Sequence, residues 1–219
     1  MPPGLSPMQA YYAARASAYD DVYRKPERQA DLREIEQWLP SVVAGGKLLE
    51  VACGTGYWTQ LLAPAASAVV AIDSAVETLR IAEKRVRTGN VEFRVGDAYA
   101  LPLGEGFDAA FAGFWFSHVP LERQREFLLE LNAALRPGAK VVLLDNRFVQ
   151  GSSSPIAEQD AIGNTYQIRK LGDGSTHRVL KNFPSEAQLR ALSEAGVGES
   201  AHFNSWQYYW AFEYLVPES

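Results

Sequence analysis

The stretch Lys47–Thr59, KLLEVACGTGYWT, decides how the rest of the chain is read. Leu48, Leu49 and Val51, interrupted by the single acid Glu50, describe a buried strand. The strand runs directly into Gly54, Thr55 and Gly56. Glycines there let the backbone turn sharply and let a ligand or another segment approach closely. Trp58, Gln60, Leu61 and Leu62 are compatible with a helix. The unit is therefore strand, glycine turn, helix, with N–H groups at the helix start available to a ligand. The alternative is a tight turn that binds nothing.

What precedes this unit is of two kinds. Met1 to Pro7 is proline-rich and reads as a loose tail. Met8 to Arg24 places Tyr11, Tyr12, Tyr19 and Tyr23 among alanines, which predicts a helix with Tyr12, Tyr19 and Tyr23 on one face. Those phenols either edge the core or line a pocket as a lid. Glu27 to Leu39 is a second helix with Leu32, Ile35, Trp38 and Leu39 inward, ended by Pro40.

Downstream, Ala68 to Ile72 is a short buried strand ending in Asp73. Ser74 and Glu77 have the spacing of a capping box for the next helix. Val91 to Val95 and Phe107 to Phe111 are further strands, the first followed by Gly96, Asp97 and Ala98, the second by Gly113, Phe114, Trp115, Phe116, Ser117 and His118. Leu121 to Leu135 is a helix, and Pro137-Gly138 leads into a fifth strand, Ala139 to Leu144. This alternation predicts a doubly wound α/β fold, a mainly parallel sheet with helices on both faces. Gln150 to Asn164 then reads as a loop with at most one short helix. Tyr166 to Leu171 and Thr176 to Leu180 flank Gly172-Asp173-Gly174 as a hairpin. Ser185 and Gln188 cap a last helix ending at Gly196. The aromatic tail, Phe203 to Tyr214, suits a terminal antiparallel pair with its turn near Asn204-Ser205.

The 219 residues, 47% of them hydrophobic, suit one domain with a well-buried core. A net charge of −5 argues against nucleic-acid or anionic-membrane partners, which select basic surfaces. The single Cys53 cannot make an intramolecular disulfide, and His118, His177 and His202 lack metal-ligand spacing, so no metal is expected. No apolar run is long enough for a membrane span and no secretory leader is evident. A soluble, cytoplasmic protein is the expectation.

Ligands of open α/β sheets sit beyond the carboxyl ends of the strands, near the switch in strand order. The polar residues there are Glu50, Asp73 and Asp97. Asp73 lies 17 residues beyond Gly56, where an acid can accept from ribose hydroxyls. The third glycine of a dinucleotide fingerprint is missing, because Tyr57, Trp58 and Thr59 follow Gly56. Glu50 would oppose a pyrophosphate but attract an ammonium. Asp97 can accept from an adenine amine. These acids suit a cofactor with a cationic amino-acid end, a ribose and an adenine, namely S-adenosylmethionine.

Glu50-x-Ala52-Cys53-Gly54-Thr55-Gly56, Asp73, Gly96-Asp97-Ala98 and Arg136-Pro137-Gly138 together resemble the class I S-adenosylmethionine-dependent methyltransferases. The resemblance covers roughly residues 42–145 and implies a seven-stranded sheet with an antiparallel last strand. It implies that Glu50, Ala52, Gly54 and Gly56 hold the methionine end. Asp73 with Ser74 would take the ribose and Asp97 with Ala98 the adenine, with Phe114 near the sulfonium. Ala52 stands where the commonest pattern has its first glycine. One domain is expected: an N-terminal helical lid (8–40), a cofactor-binding core (42–145), a substrate-side insertion (150–183) and a terminal part (184–219).

His118, just after the fourth strand, is the candidate general base; otherwise it packs in the loop or caps the following helix. Tyr11, Tyr12, Tyr19 and Trp115 are candidates for cation–π contact with a sulfonium or methylated substrate. Arg169 and Lys181 either attract an anionic substrate or form a solvated face. The motif of amino-methylating nucleic-acid enzymes is absent after the fourth strand, where GFWFSH stands. A small-molecule O-, N- or S-methyltransferase is the expectation, the product being S-adenosylhomocysteine, with monomer and homodimer both open. The rivals are a protein that binds the cofactor without chemistry and a nicotinamide-dependent oxidoreductase.

Overall fold

The computed structural model describes residues 16–104 and 106–218, with side chains from Asp20 onward. The KLLEV run forms β1 (Lys47–Val51), buried from Leu48 to Val51. Around it assemble β2 (Ala68–Asp73), β3 (Val91–Val95), β4 (Phe107–Gly113) and β5 (Leu135–Asn146), all parallel. Two small strands, β6 (Glu158–Gln159) and β7 (Thr165–Lys170), precede β8 (Thr176–Leu180), and the chain ends in β9 (Glu199–Ser205) and β10 (Tyr209–Leu215). The main sheet has the order β3-β2-β1-β4-β5-β10-β9. β10 runs antiparallel to both neighbours. It is the expected α/β sheet of seven strands.

Alternation along the strands divides the core into two layers. Leu48, Val142 and Leu144 point to one face, where they meet Leu32, Ile35 and Leu39 of α1 (Gln29–Val42), Leu62 of α2 (Thr59–Leu62) and Leu79 of α3 (Val76–Arg85). Leu49, Val141 and Leu143 point to the other, against Phe127, Leu128 and Leu131 of α4 (Gln124–Ala133) and Leu189 of α5 (Glu186–Leu192). The reversal of strand order falls between β1 and β4, which pair at Val51 and Ala112. Their carboxyl ends therefore open the crevice that a ligand can enter.

Several local expectations change. The described part of the N-terminal segment is a three-ten stretch, Ala16–Arg24. Pro40 lies inside α1 rather than ending it; so near the last turn its missing N–H costs the helix one hydrogen bond. The α3 cap is not Ser74: Ala75 is the capping position and makes no side-chain cap. Asp73 does that work instead, accepting from Ala75 N–H (2.9 Å) and from the Thr78 hydroxyl (3.0 Å). The Ser185–Gln188 capping box is present in full. The segment after Gln150 holds the short strand β6 and no helix, and it pairs with the β7–β8 hairpin into a second, three-stranded sheet. The terminal turn lies at 206–208, one step later than the aromatic pattern suggested.

Candidate active site

The glycine turn leaves β1 through Ala52, whose φ is +54°, followed by Gly54 at +56° and Gly56 at +74°. An alanine in the left-handed region carries about 1–2 kcal/mol of strain that glycine would not. Across the switch point, Phe114 leaves β4 at φ +59°, and its N–H donates to Leu144 O (2.7 Å). Two strained non-glycine residues thus flank one crevice.

Two amides of the turn are already taken. Gly54 N–H donates to Asp73 Oδ2 (2.8 Å) and Gly56 N–H to Cys53 O (3.0 Å). The helix that follows, α2, is only four residues long. Two of the turn's amides are thus engaged within the protein, and so short a helix makes a weak seat for a pyrophosphate.

Glu50 is the unusual group here. It is 1% exposed, and Oε2 has no hydrogen-bond partner among the described residues. Burial, opposed by the neighbouring Thr59 hydroxyl and reinforced by the Asp73 carboxylate, pushes its pKa up to about 8. A buried carboxyl with one oxygen unsatisfied beside the turn fits an incoming ammonium, as the methionine end of S-adenosylmethionine would supply. Asp73 sits at the tip of β2, its pKa also raised by burial against the hydrogen bonds it accepts from Ala75, Gly54, Thr78 and Ser74. Asp97 is exposed after β3 and accepts from Tyr99 N–H (3.0 Å), while Ala98 beside it is buried. The fit of this set to the cofactor rests on Glu50 above all.

Beyond Phe114 lies a cavity of about 370 Å³. Its walls are the N-terminal segment (Val22, Tyr23, Lys25, Arg28), the ends of β4 and β5 (Phe114, His118, Asn146), Tyr209, and the hairpin with its flanks (Gln167, Arg169, Lys181, Phe183). The hairpin is bolted above the sheet: Asn182 N–H donates to Ser117 O (2.8 Å), and Lys181 Nζ meets Asp145 Oδ1 (2.7 Å) and Ser117 Oγ (2.6 Å). Lys181 is 4% exposed, so the solvated-face reading of that residue is wrong. Its partner Asp145, at the end of β5, also accepts from Ser117 N–H (3.0 Å). Phe114 packs edge-on to Tyr209 and tilted against Tyr23, with centroids 5.8 Å apart in each case.

His118 lines this cavity and is 3% exposed. Its Nδ1 faces Leu180 O at 2.5 Å, so Nδ1 carries the proton and Nε2 is the acceptor nitrogen. Its pKa is held well below the usual value, chiefly by burial and then by the charges of Lys181 and Arg169, against an upward pull from Asp145. At neutral pH it is an uncharged imidazole. Arg169 also lines the cavity. Trp115 does not: its ring packs edge-on against Tyr99, 5.9 Å between centroids, on the side of Asp97. Tyr11 and Tyr12 lie outside the described residues, as does the side chain of Tyr19.

Sequence reading passed over Lys25, Arg28, Asp145 and Tyr209. Nothing in the local sequence singles out Arg28, two residues into a segment that reads as helix. Asp145 follows four apolar residues, Val141 to Leu144, a pattern that signalled buried surroundings and went unused. It also passed over Asp20, whose carboxylate accepts from the Thr55 hydroxyl (2.6 Å) and pairs with Arg85, fastening the N-terminal segment to the glycine turn.

Comparison with known proteins agrees with this arrangement. A family described as "Methyltransferase domain" matches residues 48–138. Demethylmenaquinone methyltransferase of Bacillus velezensis is 33% identical over 120 residues, 52% of this chain and 51% of that protein. The enzyme of the same name from Staphylococcus aureus strain MRSA252 is 32% identical over 144 residues, 58% of each. The chain thus spans little more than half the length of these relatives. Among solved structures, the complex of DhpI with S-adenosylhomocysteine superposes with a TM-score of 0.81 at 28% identity, covering 97% of both chains. A second structure, titled "DhpI-SAM-HEP complex", gives 0.79 at 28% identity over 94% of this chain and 95% of that one. Residues 48–138 thus match a methyltransferase domain, and the sheet order and fold are those of solved S-adenosylmethionine-dependent methyltransferase structures.

Proposed function

We propose that the protein transfers a methyl group from S-adenosylmethionine to an O, N or S atom of a small molecule held in the cavity beyond Phe114. The observation that carries this is the buried carboxyl of Glu50, its Oε2 without a hydrogen-bond partner among the described residues, beside the turn at the switch point, one strand away from that cavity. The cofactor supplies an electrophilic methyl on a sulfonium, which leaves as a neutral thioether. Glu50 holds the ammonium, with Ala52, Gly54 and Gly56 shaping the turn around the methionine end. Asp73 and Ser74 receive the ribose, Asp97 and Ala98 the adenine. Phe114 borders both the cofactor's seat and the acceptor's cavity.

The remaining task is alignment of the acceptor, worth up to about 7–11 kcal/mol where it is complete. Tyr23, Phe114 and Tyr209 form a rigid aromatic wall for it. His118 accepts the proton of an acceptor that must lose one, a contribution of roughly 10²–10⁴-fold. Its neutral state suits that role, and its lowered basicity limits it to acidic acceptors. Where the acceptor is already anionic, His118 positions it instead.

The experiment is a thermal melt with S-adenosylhomocysteine and with NAD. A ligand at a hundred times its dissociation constant stabilises by about 2.7 kcal/mol. S-adenosylhomocysteine is expected to raise the melting temperature by several degrees and NAD to leave it unchanged. Stabilisation by NAD alone would sink the reading.

A further inference from the structure

The acceptor cavity is cationic in a protein whose net charge is −5. Lys25, Arg28, Arg169, Lys170 and Lys181 line it, and among the described residues no Asp or Glu does. Lys181 is neutralised from behind by Asp145. Arg28 is not. It is 5% exposed, and its guanidinium donates only to neutral groups, Nη1 to Asn146 Oδ1 (2.8 Å) and Nε to Ser152 Oγ (3.0 Å). The rings of Tyr208 and Tyr209 lie 5.3 and 5.6 Å from it. Glu27, the acid in that network, is exposed and accepts from Ser152 Oγ (2.8 Å) rather than from Arg28.

Lys25 stands beside it, with Nζ donating to Ser152 O (2.5 Å). Burial, and then the charge of Arg28, hold its pKa below the usual lysine value. Two cations crowded into one wall, with neutral hydrogen-bond partners and only the exposed Glu27 as a nearby counter-charge, are costly. The arrangement is stabilised when a ligand brings the missing negative charge. A guanidinium presents paired N–H donors that match the two oxygens of a carboxylate or phosphoryl group. A cationic amine would meet the opposite, five positive side chains.

We infer that the small molecule taken by this cavity carries an oxyanion, a carboxylate or phosphoryl group, received by Arg28 with Lys25 and Arg169. The inference rests on the reading of this cavity as the acceptor's site. It makes Arg28 a binding residue for substrate class, on the N-terminal segment that closes over the site.

Calorimetric titration of the full chain with inorganic phosphate and with malonate, at fixed ionic strength and saturating S-adenosylhomocysteine, tests it. Saturable binding of at least one anion is expected. Phosphate alone points to a phosphoryl group and malonate alone to a carboxylate. Arg28→Gln is expected to weaken that binding by about tenfold or more, the loss of a charge-assisted pair, while S-adenosylhomocysteine still binds. If Arg28→Gln does not fold, Arg169→Gln carries the test with a loss of several-fold. Failure of both anions to bind saturably, or equal affinity in the folded variants, overturns the inference and leaves the cofactor reading standing. The same titrations without S-adenosylhomocysteine separate the two: anion binding by a protein that does not bind S-adenosylhomocysteine overturns methyl transfer alone.

Discussion

Glu50 carries two opposite demands. In the free protein its carboxyl is buried without a partner for Oε2, and its pKa of about 8 keeps the proton on at neutral pH. An acid whose folded pKa exceeds its unfolded one stabilises the fold fully below the unfolded value, near 4.5, and loses that contribution as pH rises through about 8. At about 1.4 kcal/mol per unit, the loss over that window is on the order of 3–5 kcal/mol. Glu50→Gln lacks the titration. Urea unfolding is therefore expected to show the variant more stable than the parent at pH 8, with the advantage shrinking toward pH 5. The same variant is expected to bind S-adenosylhomocysteine about ten- to hundredfold more weakly, the worth of a hydrogen bond to a charged group. A variant equally stable at both pH values, or equally tight, contradicts the account. Asp73 shows the same economy in another form. One carboxylate braces Gly54, caps α3 and is proposed to meet the ribose, so Asp73→Ala disturbs the fold as well as binding.

At the scale of elements, the N-terminal segment is the cover. Asp20 links Thr55 of the glycine turn to Arg85 of α3, and Arg85 Nη1 closes the triangle on the Thr55 hydroxyl (3.0 Å). All three groups are partly or fully withdrawn from solvent, which makes the contact stronger than a surface pair. Asp20→Ala is expected to speed S-adenosylhomocysteine release by about fivefold, corresponding to about 1 kcal/mol. Stopped-flow displacement measures it, and an unchanged dissociation rate refutes the fastening role. Local signals told different amounts about such elements. The buried strands and the Ser185–Gln188 cap were legible because each depends on neighbours in sequence. The cap of α3 was misassigned to Ser74 because an S-x-x-E spacing cannot reveal that Asp73, one residue earlier, already fills the role.

At the scale of the molecule, the mainly parallel sheet with helices on both faces was legible from alternating strands and helices, and its seven strands with an antiparallel last one from the family resemblance. The cofactor's seat at Glu50, the glycines, Asp73 and Asp97 is a proposal. What stayed hidden was long-range. Lys181 reads as a solvated cation until β8 is folded over β5 and Asp145 appears beneath it. Arg28 carries no local mark of burial, because the residues that close around it, 146 and 152, lie far along the chain. Trp115 seemed a pocket residue, yet the left-handed step at Phe114 precedes it and its ring lies against Tyr99. The acceptor side is assembled from segments far apart in the chain, so pairing rather than pattern creates it. The most direct test of the whole arrangement is a crystal structure with S-adenosylhomocysteine bound. The account predicts the ammonium on Glu50, the ribose on Asp73, the adenine beside Asp97 and Ala98, and the sulfur facing Phe114 and the Arg28 cavity. A sulfur turned away from that cavity, or an ammonium remote from Glu50, would contradict it.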